Sequence, residues 1–247
     1  MREYSDFTYV PGFTGYMKEI FLYIREHLSD QPRQALDIPA GSGVFAEKVE
    51  QLGHHVVKVD LHGNEGFVFA NMEERLPFED ASFDFVTSME GLEHVINPVD
   101  LLRELMRITR PGGHVVISTP NIVNLWSRLQ FLFTGSFYQF GANGVRQPWG
   151  QMVDRNHISP FTPLHLCYVM GAFGAELADV RVDRAKKKVL MPLYWLMKPL
   201  VHVWTRKETR GARPDTYPGV KDIAALMTGG KLAFGRSQIL VFRKREA

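Results

Sequence analysis

The most regular feature of the sequence is an alternation of short apolar runs with amphipathic stretches. The runs have the length of buried strands and predict seven of them, at residues 35–38, 55–60, 67–70, 85–89, 115–118, 178–182 and 238–242. Between several runs, apolar residues recur at the three- and four-residue spacing of helices that pack on one face. This order predicts a doubly wound, mostly parallel, seven-stranded α/β sheet of Rossmann-like type, with helices on both faces and a hydrophobic insertion before the last strand.

A glycine-bearing turn follows the first predicted strand. Gly41 and Gly43 lie between that strand and the next helix, where the missing Cβ lets backbone approach a ligand closely. The second strand ends in Asp60, and an acid at this place commonly holds a ribose hydroxyl. Because Gly41, Gly43 and Ala46 also fit the dinucleotide fingerprint, these residues alone leave a nicotinamide cofactor and other nucleoside ligands open.

Composition narrows the class of protein. Of 247 residues, 45% are hydrophobic, and the formal net charge is +2, so no basic field points to a nucleic-acid partner. The single cysteine, Cys167, excludes an internal disulfide framework, and we expect it to be a small buried residue. The first residues lack the pattern of a signal peptide and no apolar run is long enough to span a bilayer, so we expect a cytoplasmic protein.

Several short motifs follow one another in a specific order. They are Leu36-Asp37, Gly41-Ser42-Gly43, Val59-Asp60, Leu76-Pro77-Phe78, Ser82-Phe83-Asp84, Glu90-Gly91-Leu92-Glu93-His94-Val95, Arg110-Pro111-Gly112-Gly113 and Thr119-Pro120-Asn121. In this order the chain resembles the class I S-adenosylmethionine-dependent methyltransferases, and more closely their small-molecule branch found in quinone and polysaccharide biosynthesis. The resemblance covers about residues 34–183 and 238–243.

The resemblance implies an enzyme that transfers a methyl group from S-adenosylmethionine to an oxygen or nitrogen atom of a small molecule. It also implies one methyltransferase domain over residues 1–247. Its expected parts are a lead-in helix within 1–33, a cofactor-binding half at 34–120, and substrate-side or lid insertions at 121–160 and 184–235.

The resemblance assigns roles to residues of this chain. The residues expected to surround the cofactor are Asp37, Gly41, Ser42, Gly43, Asp60, Asn71, Met72, Met89 and Glu90. Asp37 is expected to hold the ammonium group, Asp60 both ribose hydroxyls, and Asn71 the adenine ring. Two positions depart from the family pattern: Pro39 replaces a glycine of the turn, and Asn71 replaces an acid.

Two histidines are candidates for the base that takes a proton from the acceptor. His94 follows Glu93 just beyond the fourth strand, and His157 lies in the first insertion, where this family often builds its substrate pocket. An imidazole has a pKa near neutrality and suits this task. Structural roles for both histidines stay open, and no cluster has the sequence spacing of a metal site, so we expect no metal.

Residues 189–204 are apolar and aromatic, and lysines or arginines flank them on both sides. Such a segment is typical of peripheral contact with a membrane and suits an apolar or lipid-linked acceptor. A buried lid helix or a dimer contact would have the same composition. The sequence does not indicate the oligomeric state.

Two other functions remain compatible with these residues. The glycine fingerprint permits a nicotinamide-dependent oxidoreductase, although no catalytic constellation of a dehydrogenase is evident. A cofactor-binding interaction module without catalysis is the other, because Pro39 departs from the family turn and no base is certain.

Overall fold

One seven-stranded mixed sheet organises the part of the chain that the structure describes, in the order β3-β2-β1-β4-β5-β7-β6. The structure is a computed structural model and describes residues 12–61, 64–141, 157–185, 187–211 and 216–246. The strands are β1 (Gln34–Asp37), β2 (His55–Asp60), β3 (Phe67–Phe69), β4 (Phe83–Met89), β5 (Thr109–Pro120), β6 (Ala175–Val182) and β7 (Ser237–Lys244).

The sheet is parallel except around its last strand. Four strand pairs are parallel: β1 with β2, β1 with β4, β2 with β3, and β4 with β5. β7 lies antiparallel between β5 and β6. The predicted fold, a doubly wound and mostly parallel sheet of seven strands, is confirmed.

Helices cover both faces of the sheet. They are α1 (Gly15–His27), α2 (Val44–Glu50), α3 (Pro98–Ile108), α4 (Leu125–Thr134), α5 (Pro163–Ala172), α6 (Met191–Glu208), α7 (Ile223–Thr228) and α8 (Gly230–Phe234). Side-chain oxygens begin several of them: Asn124 accepts from the third amide of α4, and Thr162 does the same for α5.

The core lies in two layers because neighbouring strand residues point to opposite faces. On β4, Val86 packs into the layer that holds Leu102 of α3, whereas Phe85 packs into the layer that holds Phe45 of α2. Cys167 is buried in the first layer, as expected for a small apolar residue.

The largest difference between a predicted and an observed strand boundary concerns the fifth strand. The sequence predicts a tight turn at Arg110-Pro111-Gly112-Gly113 before the fifth strand, but β5 begins earlier, at Thr109. Phe83 on β4 pairs with Thr109 and Phe85 pairs with His114, so the extra residues form a bulge inside the strand. Gly112 supplies the positive φ of 75° that this bulge needs.

The long insertion between β6 and β7 lies at the carboxyl edge of the sheet. Val182 at the end of β6 pairs with Gln238 near the start of β7, and Ser237 pairs with Pro120 at the end of β5. The polar loop expected at 141–156 lies almost entirely outside the described residues. Within the described ranges, no helix combines the length and apolarity needed to cross a membrane.

Candidate active site

The glycine turn after β1 is closely packed. Gly41 and Gly43 have φ values of 55° and 80°, which side chains other than glycine rarely adopt. A Cβ on Gly43 would lie 3.0 Å from Phe67 Cζ and 3.3 Å from Lys58 Cδ. The turn therefore requires glycine for its backbone and for the space beside it.

Asp60 joins the turn to the end of β2. Its Oδ2 accepts a hydrogen bond from the Gly41 amide at 2.7 Å, and its Oδ1 accepts one from the Leu61 amide at 2.7 Å. The carboxylate is buried to 7% exposure. The glycine turn after β1 and the acid at the end of β2, which the sequence pattern predicts, are thus in direct contact.

Asp37 ends β1 and is fully buried. Thr87 of β4 donates to its Oδ1 at 2.8 Å, while its Oδ2 accepts no hydrogen bond from the described residues. Burial raises the pKa of Asp37 to about 7, and the nearby charge of Asp60 acts in the same direction. A cationic group at Oδ2 would satisfy this atom and favour the ionised carboxylate.

Pro39 packs against the loop that follows β4. A Cβ on Gly91 would lie 2.5 Å from Pro39 Cδ and 3.4 Å from the sulfur of Met72. The departure from the family turn is therefore accommodated by a glycine on the facing loop. Neighbouring Asn71 accepts from the Glu73 amide and donates to Glu74 Oε1, each at 3.0 Å.

Met89 is buried at the end of β4, and Glu90 follows it with a φ of 49°. Glu90 accepts hydrogen bonds from Ser118 Oγ at 2.6 Å and from Ser237 Oγ at 3.3 Å. Burial raises the pKa of Glu90. The two serines were missed in the sequence, because Ser118 reaches Glu90 through the pairing of β4 with β5, and Ser237 reaches it through the pairing of β7 with β5.

His94 and His157 lie together. Their ring centroids are 4.8 Å apart, edge to face. The Glu93 carbonyl accepts hydrogen bonds from the amides of Ile158 and Ser159 at 2.8 and 3.1 Å, which ties the segment after His157 to the turn that carries His94. Two histidines predicted as alternatives thus form one cluster.

Glu93 is the third member of this cluster and was not singled out in the sequence. Its side chain is fully buried, and neither carboxyl oxygen accepts a hydrogen bond from the described residues. Burial raises the pKa of Glu93 well above its usual range, with a further contribution from Glu90. The sequence signal that could have indicated Glu93 is an acid between Leu92 and a histidine, just after a buried strand.

The cluster has two chemical uses. One ligating atom from each of Glu93, His94 and His157 lies within 4.8 Å of the others. Such a group could relay a proton or hold a divalent cation. The expectation of no metal came from sequence spacing, which could not show that His157 meets the other two.

Comparison with known families decides the class of this protein. The model of a family described as a methyltransferase domain matches residues 13–180. The chain belongs to this family. The predicted resemblance to the class I S-adenosylmethionine-dependent methyltransferases is thereby confirmed, and the match of this methyltransferase to the family includes both the glycine turn and Asp60.

Curated relatives match part of this methyltransferase. It is 33% identical over 116 residues to a ubiquinone biosynthesis O-methyltransferase of Marinobacter nauticus, which covers 40% of this chain and 49% of the relative. The chain spans about half the length of the curated relatives it matches, or somewhat less.

Solved structures share the fold. A SAM-dependent methyltransferase from Archaeoglobus fulgidus is 18% identical, with 92% of this chain and 94% of the other covered and a TM-score of 0.54. The cyclase SpnF is 17% identical, with 94% and 81% covered and a TM-score of 0.53. At these identities the likeness concerns the fold alone, and the fold by itself does not dictate methyl transfer.

Proposed function

We propose that this protein is an S-adenosylmethionine-dependent O-methyltransferase that acts on a small, apolar acceptor. The observation that carries the proposal is the cluster of Glu93, His94 and His157 at the same sheet edge as the glycine turn and Asp60. The glycine turn and Asp60 offer a site for a nucleoside, and the cluster offers a group that can accept a proton. The names of the curated relatives support oxygen as the methylated atom.

The described residues fit this cofactor at two points. Asp37 Oδ2 is buried without a hydrogen-bond donor, as suits a place that receives the ammonium group. Gly43 leaves free the space that a Cβ would fill beside the turn. Asp60 would accept hydrogen bonds from the ribose hydroxyls, and Asn71 with Met72 would flank the adenine. Ser42, Met89 and Glu90 complete the proposed pocket.

When bound, the cofactor would supply an electrophilic methyl group, and cleavage of its bond to sulfur would leave a neutral thioether, S-adenosylhomocysteine. A hydroxyl attacks a methyl carbon well only when it loses its proton, so a base must lie beside it. His94 or His157 accepts that proton, and each ring limits the orientation of the other. Burial raises the pKa of Glu93 well above its usual range, which favours the protonated acid, and this group can hydrogen-bond to an imidazole or to the acceptor. The remaining acceleration comes from alignment of the reactants.

The first experiment is a calorimetric titration of the purified protein with S-adenosylmethionine, S-adenosylhomocysteine and NADH. We expect saturable binding of the first two and none of NADH. Transfer of a labelled methyl group to hydroxylated aromatic acceptors, with and without an isoprenoid tail, then tests the reaction. Binding of NADH alone would favour the oxidoreductase. Cofactor binding without turnover on any acceptor would favour a module without methyl-transfer activity.

A further inference from the structure

Helix α6 presents an apolar stripe to solvent. Leu196, Leu200 and Val203 recur at four- and three-residue spacing and are 77%, 57% and 66% exposed. Tyr194, on the opposite side of the helix, is buried and donates through its hydroxyl to the carbonyl of Thr228. The helix is therefore anchored by one face and leaves a continuous apolar face without a described partner.

The same segment is strongly cationic. Residues 187–210 contain six lysines and arginines and one acid, Glu208, whereas the whole chain carries a net charge of only +2. Some of these cations lie over aromatic rings at the edge of the face. Lys187 Nζ lies 4.5 Å from the centroid of Trp126 at the start of α4. Apolar residues flanked by lysine, arginine and tryptophan suit the boundary between lipid headgroups and acyl chains.

A cleft that is open to solvent lies beside this face, between α4, α6 and α7. Arg128 and Lys198 line it. The Arg128 guanidinium donates to the carbonyls of Val123 at 2.7 Å and Met227 at 3.1 Å, and no carboxylate of the described residues pairs with it. Burial lowers the pKa of Arg128. A half-buried guanidinium without an acidic partner is suited to an external anion such as a phosphate.

The position of α6 relates this face to the active site. The insertion leaves β6 at Val182 and enters β7 at Ser237, so it lies at the carboxyl edge of the sheet, on the same edge as the proposed cofactor site. We propose that the exposed face of α6 docks on an anionic membrane surface and that the cleft lined by Arg128 and Lys198 takes a phosphate of a lipid headgroup. This places the substrate side of the enzyme next to the bilayer, and that consequence rests on the proposed function.

Charge argues for a bilayer and against a second copy of the chain. A two-fold contact through α6 would bring like patches together, and therefore the cations of one copy towards those of the other. An anionic lipid surface neutralises the same cations and also receives the apolar stripe. Since no described helix is able to cross a membrane, the contact is interfacial.

The test is co-sedimentation of the intact protein with vesicles of phosphatidylcholine alone and of phosphatidylcholine mixed with phosphatidylglycerol. We expect binding to the mixed vesicles only, weakened by added salt. The double variant Leu196→Asp/Leu200→Asp should abolish binding, and because both side chains are exposed its melting temperature should not change.

Charge variants separate the roles of the cations. Lys187→Glu/Lys188→Glu should lower the partition constant by at least about fivefold for each lysine. The matched control is Lys18→Glu/Lys48→Glu, which changes the net charge equally on exposed positions of α1 and α2 and should leave binding near its original value. Arg128→Gln tests the cleft directly. If that variant does not fold, Lys198→Gln tests the cleft in its place, and it should reduce the preference of the protein for phosphatidylglycerol.

Each outcome decides the proposal. Lack of binding by the intact protein to the mixed vesicles overturns it, and so does equal binding by the Leu196→Asp/Leu200→Asp protein. Sedimentation of the free protein as a dimer that this variant dissociates, without vesicle binding, would assign the face to a second copy instead. Calorimetry with S-adenosylmethionine in solution is independent of these results, so failure here is distinguishable from failure of the proposed methyl transfer.

Discussion

The backbone amide of Gly41 donates to Oδ2 of Asp60 across 2.7 Å. This hydrogen bond joins the turn after β1 to the acid that ends β2, and it fixes the carboxylate beside the backbone that faces the proposed cofactor. Replacement of Asp60 by asparagine keeps the size of the side chain and removes its charge.

We expect Asp60→Asn to weaken S-adenosylmethionine binding about tenfold or more, because hydrogen bonds to a charged group contribute about 1.5–3 kcal/mol. Calorimetry measures the affinity, and a thermal melt checks the fold. Asp80→Asn, at an exposed acid paired with Arg107, is the control and should leave the affinity unchanged. A folded Asp60→Asn protein with full affinity would remove Asp60 from the ribose site.

Asp37 predicts how cofactor binding depends on pH. With a pKa of about 7, the carboxyl is protonated below neutrality and must lose its proton before it can pair with an ammonium group. The affinity for S-adenosylmethionine should therefore fall as the pH drops through 7, by about tenfold between pH 8 and pH 6, and level off above. Calorimetric titrations across this range measure the slope.

The control for that slope is Asp37→Asn, which removes the titrating carboxyl and keeps the ligand's own amino group. The variant should bind more weakly at pH 8 and show a flatter profile. The same slope in both proteins would assign the pH dependence to the ligand alone.

The contact between His94 and His157 predicts a separation of turnover from binding. Replacement of the base by alanine should lower kcat by about 10²–10⁴-fold and leave the affinity for S-adenosylmethionine nearly unchanged. His55→Ala, an exposed histidine at the start of β2, should retain full activity. Full turnover in His94→Ala, His157→Ala and their double variant would exclude both as bases.

The same cluster predicts an outcome for chelation. If the histidines act as proton acceptors, dialysis against EDTA should leave turnover unchanged. Loss of turnover that a divalent cation restores would instead assign Glu93, His94 and His157 to a metal site. The variant Glu93→Gln also distinguishes a proton-accepting cluster from a metal site, because a neutral amide preserves the hydrogen-bonding capacity of a protonated acid but is a poor ligand for a cation.

Gly91 and Pro39 predict a compensating pair. The Cβ of Gly91→Ala would lie 2.5 Å from the Pro39 ring, so this variant should lower the free energy of unfolding by about 1–3 kcal/mol. Pro39→Gly removes the ring, and in that background Gly91→Ala should cost less. Denaturant titrations of the four proteins measure the coupling.

The control for this cycle is Gly211→Ala, whose Cβ would meet no described atom within 4 Å. It should unfold at nearly the same denaturant concentration as the original protein. A fully additive cycle would show that the Pro39 ring does not limit the residue at position 91.

Local patterns in the sequence predicted much of the fold. Apolar runs of strand length, separated by helical periodicity, indicated all seven strands in their order, and the glycine turn and Asp60 stood out through short-range spacing. These features are readable because burial of a strand and the backbone conformation of a tight turn constrain residues close together in the chain. The bulge at Thr109–His114 was misread because glycine and proline indicate a break whether it lies before a strand or inside it.

The exposure of α6 depended on its surroundings. An apolar run has the same composition whether it becomes a buried lid or an exposed face, so residues 189–204 were compatible with both. Only packing placed Tyr194 inside and Leu196 in solvent.

The sequence by itself therefore determined which segments become strands along the chain, the glycine turn, the acid that follows it and the family. The tertiary structure decided which distant residues meet. β7 inserts between β5 and β6 and brings Ser237 to Glu90, and two backbone hydrogen bonds to Glu93 hold the segment of His157 beside His94. The physical reason is that periodicity reports which face of an element is buried, whereas a site between elements depends on strand pairing and loop contacts far apart in the chain.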